Sequence, residues 1–230
     1  MNEAVFSSLR QNTLRISALT AIRDNILNGT LRPGQQLVQA EIAAQMKVSR
    51  APVREALRHL EDEGLVESIP YRGTFVSRVT RRDVIELYSL RGALEALAVR
   101  LIIQAGRDAD IVELEGILSR MSGAAELYDD HALNDADIEF HTRLCYISGH
   151  RHLIRSWEMN SNQIRRVLSL RNKLSPHRVV VEMHHPIVEA IRVRDESAGG
   201  RAVDDHCIDS GNALAAIWPE DGAGYHGEVL

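Results

Sequence analysis

Strand-forming sequence is confined to one short stretch of this chain, and this limits the folds available to it. Residues 65–79, LVESIPYRGTFVSRV, form two β-rich runs around Pro70–Gly73, which predicts a hairpin with Arg72 at its tip. From Val79 onward no strand pattern occurs, and apolar residues recur at multiples of three and four. The chain is therefore expected to be mainly α, with one hairpin in its first third.

Three helices are predicted ahead of the hairpin. Apolar residues recur at helical spacing in the first helix and stop at Asn28–Gly29, which suits a C-terminal cap. A short second helix covers about 39–46. Ser49 is placed to cap a third helix that runs to about Glu63. A helix, a helix-turn-helix and a hairpin together predict a winged helix.

The remaining sequence predicts a bundle. Between 83 and 217 the apolar periodicity indicates about six or seven further helices, without an internal repeat. We therefore expect a winged helix-turn-helix domain at 1–78, a linker at 79–82 and an all-α domain at 83–230.

Composition excludes several classes of protein. Apolar residues make up 44% and charged residues 26%, as in ordinary folded chains. No apolar run approaches the 18 residues of a membrane span, and the N-terminus, MNEAVFSSLRQN, lacks the apolar region of a signal peptide. Cys145 and Cys207 show no metal-type spacing, so we interpret them as reduced thiols. These features predict a cytoplasmic protein without a membrane segment.

Charge is distributed unevenly along the chain. The net charge is −5, but residues 1–78 hold ten basic and eight acidic residues, whereas the rest holds 17 and 24. The basic residues of the first third cluster on the predicted third helix. A local basic patch matters more than net charge for binding DNA phosphates.

The third helix carries a row of arginines suited to DNA. Arg50, Arg54 and Arg58 lie one turn apart, beside an apolar stripe. The planar guanidinium matches guanine and phosphate, and Ser49 with the first-turn amides suits a phosphate. The alternative is an ordinary surface helix whose arginines are solvated or paired with glutamates. The helix-turn-helix spacing and the following hairpin favour the DNA-binding interpretation.

Residues 14–78 closely resemble the DNA-binding domain of GntR-family bacterial transcription regulators. The matching stretches are I-x-x-G-x-L-x-P-G, VSR-x-PVREAL, L-x-x-E-G-L and RGTFV, in that order. The resemblance implies DNA contacts from Ser49, Arg50, Arg54, Arg72 and Gly73. The chain departs from the family at Ala51, where threonine is common, and at Gln39, where an acidic residue is usual.

Four residues of the helical part have the chemistry of a metal site. Asp137 and His141 lie at i and i+4, His184 precedes an apolar helical pattern, and His206 belongs to another helical stripe. Three imidazoles and one carboxylate from three separate helices would suit Zn²⁺, Ni²⁺ or Mn²⁺. The alternative is that each histidine is an ordinary core or surface residue.

Residues 83–217 resemble the FCD effector domain of the FadR subfamily of these regulators. The matching stretches are R-x-x-L-E, D-x₃-H, H-x-x-I-x-x-A-I and the later His206. The resemblance implies that Asp137, His141, His184 and His206 bind a divalent metal that helps to hold a carboxylate effector. Pro186 departs from the family's uninterrupted helix, so a kink there could move His184 or substitute His185.

Arg91 opens the R-x-x-L-E stretch and has two interpretations. Its guanidinium could reach into the bundle and bind the effector carboxylate. Alternatively, it could form a salt bridge with Glu95 on the same helix.

These features predict a ligand-responsive bacterial transcription regulator and not an enzyme. We expect a homodimer on a near-palindromic double-stranded operator, because one winged helix buries too little surface for regulatory affinity. A metallohydrolase would need a general base, and no motif provides one. A DNA-binding scaffold with a degenerate metal site is a further alternative. RNA binding is disfavoured because aromatic residues make up only 4% of the chain.

Overall fold

A computed structural model describes residues 8–218, with side chains described for 13–168 and 175–218. Over this range the chain forms two compact units, the first ending at Thr80 and the second spanning Arg81–Trp218. None of the described helices combines the length and apolar character needed to cross a bilayer. The predicted mainly α fold with a single hairpin is confirmed for the described residues.

The first unit is a winged helix built from three helices and a hairpin. Gly29 and Gly64, with φ of +83° and +68°, follow the first and third helices and turn the chain out of the helical path. The elements are α1 (Ser8–Leu27), α2 (Gln39–Met46), α3 (Arg50–Asp62), β1 (Val66–Ile69) and β2 (Gly73–Val76).

One apolar core holds this unit together. Val53 and Leu60 of α3 have no exposed surface, and they share the core with Ile22 of α1. The two strands are antiparallel, with Val66 opposite Val76. The core therefore fixes α3 and the base of the hairpin against each other.

The second unit contains seven helices within the described range. They are α4 (Arg81–Ala105), α5 (Asp108–Glu126), α6 (Asp130–Ile147), α7 (Arg151–Leu174), α8 (His177–Glu182), α9 (His185–Arg192) and α10 (Glu196–Ile217). The proposed linker at 79–82 overlaps the first two residues of α4. Residues 219–230, which the sequence assigns to the helical domain, lie outside the described residues.

Helices α4 and α10 pack closely because α10 carries glycines where they meet. A Cβ on Gly199 would lie 2.6 Å from Val99 Cγ1, and one on Gly211 would lie 2.8 Å from Tyr88 Cβ. Both distances are shorter than real carbon contacts, so only glycine permits this approach. The pair brings α4 and α10 side chains into one buried layer.

The segment around Pro186, where the FCD resemblance implies one uninterrupted helix, is two helices. The first, α8, ends at Glu182, and α9 begins at His185 with Pro186 in its first turn. Proline lacks an amide hydrogen and fits a helix start, which explains the interruption.

Candidate nucleic-acid interface and candidate metal centre

One face of α3 is exposed and carries the three candidate DNA-contacting arginines, Arg50, Arg54 and Arg58. The opposite face, with Val53 and Leu57, is buried. None of the three arginines forms an ion pair with any residue that the structure describes. Glu61, a glutamate of the same helix, accepts a hydrogen bond from the Ser68 amide at 3.0 Å. The row is therefore a set of solvated guanidiniums.

Ser49 occupies the N-cap position of α3, with extended backbone angles of −72° and 166°. Its side chain makes no capping hydrogen bond, so the prediction that it caps the helix is wrong in that detail. The side chain is exposed.

The tip of the hairpin is set by backbone geometry. Gly73 has φ of +114°, a conformation that favours glycine. Gln36 Nε2 donates to the carbonyl of Arg72 at 2.9 Å, and a Cβ on Gly73 would lie 2.8 Å from that nitrogen. Arg72 and Tyr71 are exposed at the tip. Tyr71 was not among the predicted residues, although its place beside Arg72 in the turn was a usable signal.

The four candidate metal ligands come together in the core of the second unit. Asp137 and His141 lie on α6, His184 at the start of α9 and His206 on α10, and all four are buried. Ligand nitrogens of the three histidines lie within 4.8 Å of one another. His141 Nε2 and His184 Nε2 are 3.0 Å apart, and Asp137 Oδ1 is 3.1 Å from His184 Nε2.

Hydrogen bonds fix which nitrogens face the centre of this cluster. His141 Nδ1 donates to Glu95 Oε2 at 2.7 Å, and His184 Nδ1 donates to the carbonyl of Val180 at 2.7 Å. A neutral imidazole that donates through Nδ1 keeps its lone pair on Nε2, so the Nε2 atoms are the ones turned toward the centre. Such an arrangement orients metal ligands.

The pKa shifts of the clustered side chains favour states in which hydrogen-bond acceptor atoms face one another. Burial lowers the pKa of His184, and burial with nearby positive groups lowers the pKa of His206 well below its usual value. Burial alone would raise the pKa of Asp137, but contacts with His141 and His184 lower it well below its usual value. These shifts favour an ionised Asp137 and neutral His184 and His206, which is the form that metal coordination requires.

Arg91 forms the predicted salt bridge with Glu95, and its guanidinium also reaches into the bundle. Its Nε donates to Glu95 Oε1 at 2.5 Å, and its Nη2 donates to Nε2 of His141 at 2.6 Å and of His206 at 3.0 Å. Burial alone would lower the pKa of Arg91, but the Glu95 carboxylate raises it; the pKa of Glu95 is lowered in turn. Its Nη1 is buried without a hydrogen-bond partner in the described structure.

Pro186 does not displace His184. Because the chain breaks between α8 and α9, His184 becomes the N-cap residue of α9 and points into the cluster with no exposed surface. His185, the proposed substitute, is exposed. His150 and His152 are exposed as well.

Two residues around the cluster were not identified from the sequence. Glu95 was considered only as a partner of Arg91, yet it also orients His141. Phe140 places its ring edge-to-face against His141 and His184, at centroid distances of 5.4 and 4.8 Å. The R-x-x-L-E spacing was a signal for Glu95. For Phe140 the sequence offers no signal beyond its position next to His141.

Comparisons with known proteins agree with this architecture. Residues 17–76 match the family described as bacterial regulatory proteins, gntR family, and residues 86–209 match the FCD domain. A GntR domain followed by an FCD domain is consistent with the FadR subfamily.

Known relatives share most of the chain's length. The chain is 30% identical to the HTH-type transcriptional regulator YdhC of Bacillus subtilis (strain 168), over 80% of this chain and 84% of that one. It is also 30% identical to the probable D-xylose utilization operon transcriptional repressor of Paenarthrobacter nicotinovorans, over 84% and 86%. A crystal structure of a GntR transcriptional regulator from Rhodococcus sp. RHA1 superimposes with a TM-score of 0.74 at 26% identity, covering 89% of this chain and 99% of that one.

These relatives are transcriptional regulators and not enzymes. The winged helix, the buried histidine cluster and the matches to both domains lead to one assignment. The chain belongs to the GntR family of bacterial regulatory proteins and carries an FCD domain after its DNA-binding domain.

Proposed function

We propose that this regulator binds operator DNA through its first unit and responds to a small carboxylate held beside a divalent transition metal in its second. The observation that carries the proposal is the convergence of acceptor atoms in the core. The Nε2 atoms of His141 and His184 are 3.0 Å apart. Because both Nδ1 atoms donate hydrogen bonds, each ring turns the Nε2 lone pair of its neutral form inward. A cation between such atoms removes a repulsion that burial makes costly.

Four protein atoms are available to this cation: one carboxylate oxygen and three imidazole nitrogens, from Asp137, His141, His184 and His206. This donor set suits Zn²⁺, Ni²⁺ or Mn²⁺. The bound metal would supply a fixed positive charge that attracts an effector oxygen. Glu95 and the Val180 carbonyl would orient two of the imidazoles.

The charges of the cluster favour a singly charged anionic effector. Arg91 carries one positive charge, and Glu95 and Asp137 each carry a negative charge, so the cluster without metal has a net charge of −1. A divalent metal changes the total to +1, and one carboxylate returns it to zero. Neutrality matters because unbalanced charge is costly in a buried site.

Arg91 is the residue that we assign to the effector carboxylate. Its Nη1 is a buried donor without a partner among the described residues, which is the group that an anionic ligand would satisfy. The Paenarthrobacter relative is named as a repressor of a D-xylose utilization operon. Sugar acids therefore join other small carboxylates as effectors to test.

We assign DNA contact to the exposed residues of α3 and the hairpin tip. Arg50 and Arg54 would contact bases, and Arg72 would contact a phosphate. Ser49, Arg58 and Gly73 complete the proposed interface. The protein would act in the cytoplasm as a homodimer, because two winged helices match a two-fold symmetric operator.

Metal content tests the proposal directly, and the chain offers a matched pair of adjacent histidines. Protein purified without chelator should contain close to one transition-metal ion per chain by elemental analysis. His184→Ala should lose this metal, whereas His185→Ala, which alters an exposed neighbour, should retain it. Metal-free wild-type protein that also fails to take up Zn²⁺, Ni²⁺ or Mn²⁺ would contradict the proposal.

The effector is tested separately, on metal-loaded protein. A thermal-shift screen of small carboxylates and sugar acids should find a ligand that raises the unfolding temperature. That ligand should also change the mobility shift of operator DNA. DNA binding that no carboxylate alters would instead indicate a scaffold without effector control.

A further inference from the structure

We infer that Arg91 is an internal cation that competes with the metal for the lone pairs of His141 and His206. The inference rests on the proposed function, because it concerns the regulation of the same metal site. It starts from a feature that effector binding alone does not explain. One guanidinium nitrogen, Nη2, donates to two candidate metal ligands at once.

The two contacts use the same lone pairs that a metal needs. Nη2 carries two hydrogens, and its contacts to His141 Nε2 at 2.6 Å and to His206 Nε2 at 3.0 Å account for both. An imidazole nitrogen has one lone pair, so it cannot accept from Arg91 and coordinate a metal together. Metal–nitrogen bonds of about 2.0–2.1 Å would also bring two positive charges into contact. Metal binding therefore requires Nη2 to withdraw.

Arg91 cannot leave the site when it withdraws. Its Nε is held by Glu95 Oε1 at 2.5 Å, and both side chains are buried. The displaced end of the guanidinium therefore stays beside the metal. Nη2 then joins Nη1, which already lacks a partner among the described residues.

This rearrangement links the metal to the anion. Two adjacent guanidinium donors match the two oxygens of one carboxylate. The metal would thus convert Arg91 from an imidazole partner into a carboxylate-binding group. Because binding free energies are reciprocal, an anion that holds Arg91 away from the histidines must also tighten metal binding.

The test is the metal affinity of Arg91→Met, measured with Zn²⁺ alone by competition with a chromophoric chelator. Methionine keeps much of the side-chain volume but has neither charge nor donors. If Arg91 competes with the metal, the variant should bind Zn²⁺ at least about tenfold more tightly than the wild type. Unchanged affinity would mean that Arg91 does not share the lone pairs, and weaker affinity would mean that it supports the ligands. Either result overturns the inference.

Two further proteins keep the test decisive. Arg91→Met leaves the Glu95 carboxylate buried without its partner, so the double variant Arg91→Met/Glu95→Gln removes both charges and should also bind Zn²⁺ more tightly. Arg100→Met, an exposed arginine on the same helix, should leave the affinity unchanged. If neither the wild type nor the Arg91 variants bind Zn²⁺, the proposed function itself fails.

Displacement of Arg91 can also be followed directly by NMR. In ¹⁵N-resolved NMR spectra the guanidinium signals of Arg91 are those absent from Arg91→Met. Adding one equivalent of Zn²⁺ to the wild type should shift these signals. Signals that stay in place while Zn²⁺ binds would contradict the displacement.

Discussion

Arginine occupies two different environments in this chain, and the surroundings of each guanidinium decide which task it suits. Arg54 is exposed on α3 without an ion pair among the described residues, so its donors are available to a large polar partner. Arg91 is 1% exposed and is held by Glu95 and two histidines. The same side chain thus suits a nucleic-acid surface in one place and a small anion in the other.

Arg54→Ala tests the first task. A bidentate contact to a guanine contributes sequence discrimination. The substitution should therefore cost about 1–3 kcal/mol in operator affinity and reduce the difference in affinity between operator and random DNA. Equilibrium binding to operator and scrambled duplexes measures both quantities. Arg100→Ala removes the same charge from an exposed site in the other unit and serves as the control. Unchanged operator affinity in folded Arg54→Ala protein would remove Arg54 from the interface.

Arg72 at the hairpin tip should behave differently from Arg54. If it contacts a phosphate, Arg72→Ala should weaken operator and random DNA by similar factors. The slope of log affinity against log salt should become shallower by about one unit, because one fewer counterion is released. A loss that appears only at one operator base pair would make Arg72 a base-contacting residue instead.

At the scale of elements, the packing of α4 against α10 supports the candidate metal centre. Arg91 lies on α4 and His206 on α10, and these two residues are in contact. The distance between the helices depends on Gly199 and Gly211, where any side chain would collide with α4. The glycines therefore control how closely Arg91 approaches the histidine.

Neighbouring glycines in α10 give a matched test of this packing. Gly199→Ala should destabilise the protein by about 1–3 kcal/mol, because its Cβ would lie 2.6 Å from Val99 Cγ1. Gly200→Ala meets no atom within 4 Å and should stabilise the helix by about 1 kcal/mol. Urea unfolding of both variants measures the difference. Equal effects would mean that α10 can move away from α4 without cost.

Elements were predictable where a local pattern determines them, and contacts between helices were not. The second helix, predicted at 39–46, has those limits, because its turn sequences act locally. Pro186 predicted a break, but whether His184 or His185 would face inward depended on where the neighbouring helices lie. The bond from His141 to Glu95 joins residues 46 positions apart, and no periodicity encodes such a pairing.

At the scale of the whole molecule, the chain consists of two units with separate cores. A ligand that binds only the folded form of one unit stabilises that unit by mass action. The candidate metal ligands all lie in the second unit. Metal removal should therefore affect one part of the unfolding profile and leave the other unchanged.

Calorimetry with and without chelator tests this separation. At free metal one hundred times its dissociation constant, the metal should stabilise the second unit by about 2.7 kcal/mol, which raises its unfolding temperature by roughly 5–10 °C. The first unit should unfold at the same temperature in both samples, and DNA binding without effector should persist. Equal shifts of both transitions would show that the units unfold together.

The burial of the candidate ligands has a consequence for the rate at which a bound metal is lost. Asp137, His141 and His184 have no exposed surface, and His206 has 3%. A chelator cannot touch a metal held by these groups until the helices separate, so metal loss would follow the opening rate of the bundle and not the chelator concentration. The half-life of the bound ion would then equal the lifetime of the closed bundle. An effector that binds beside the metal would have to enter the same buried site, so its binding would also wait for the bundle to open.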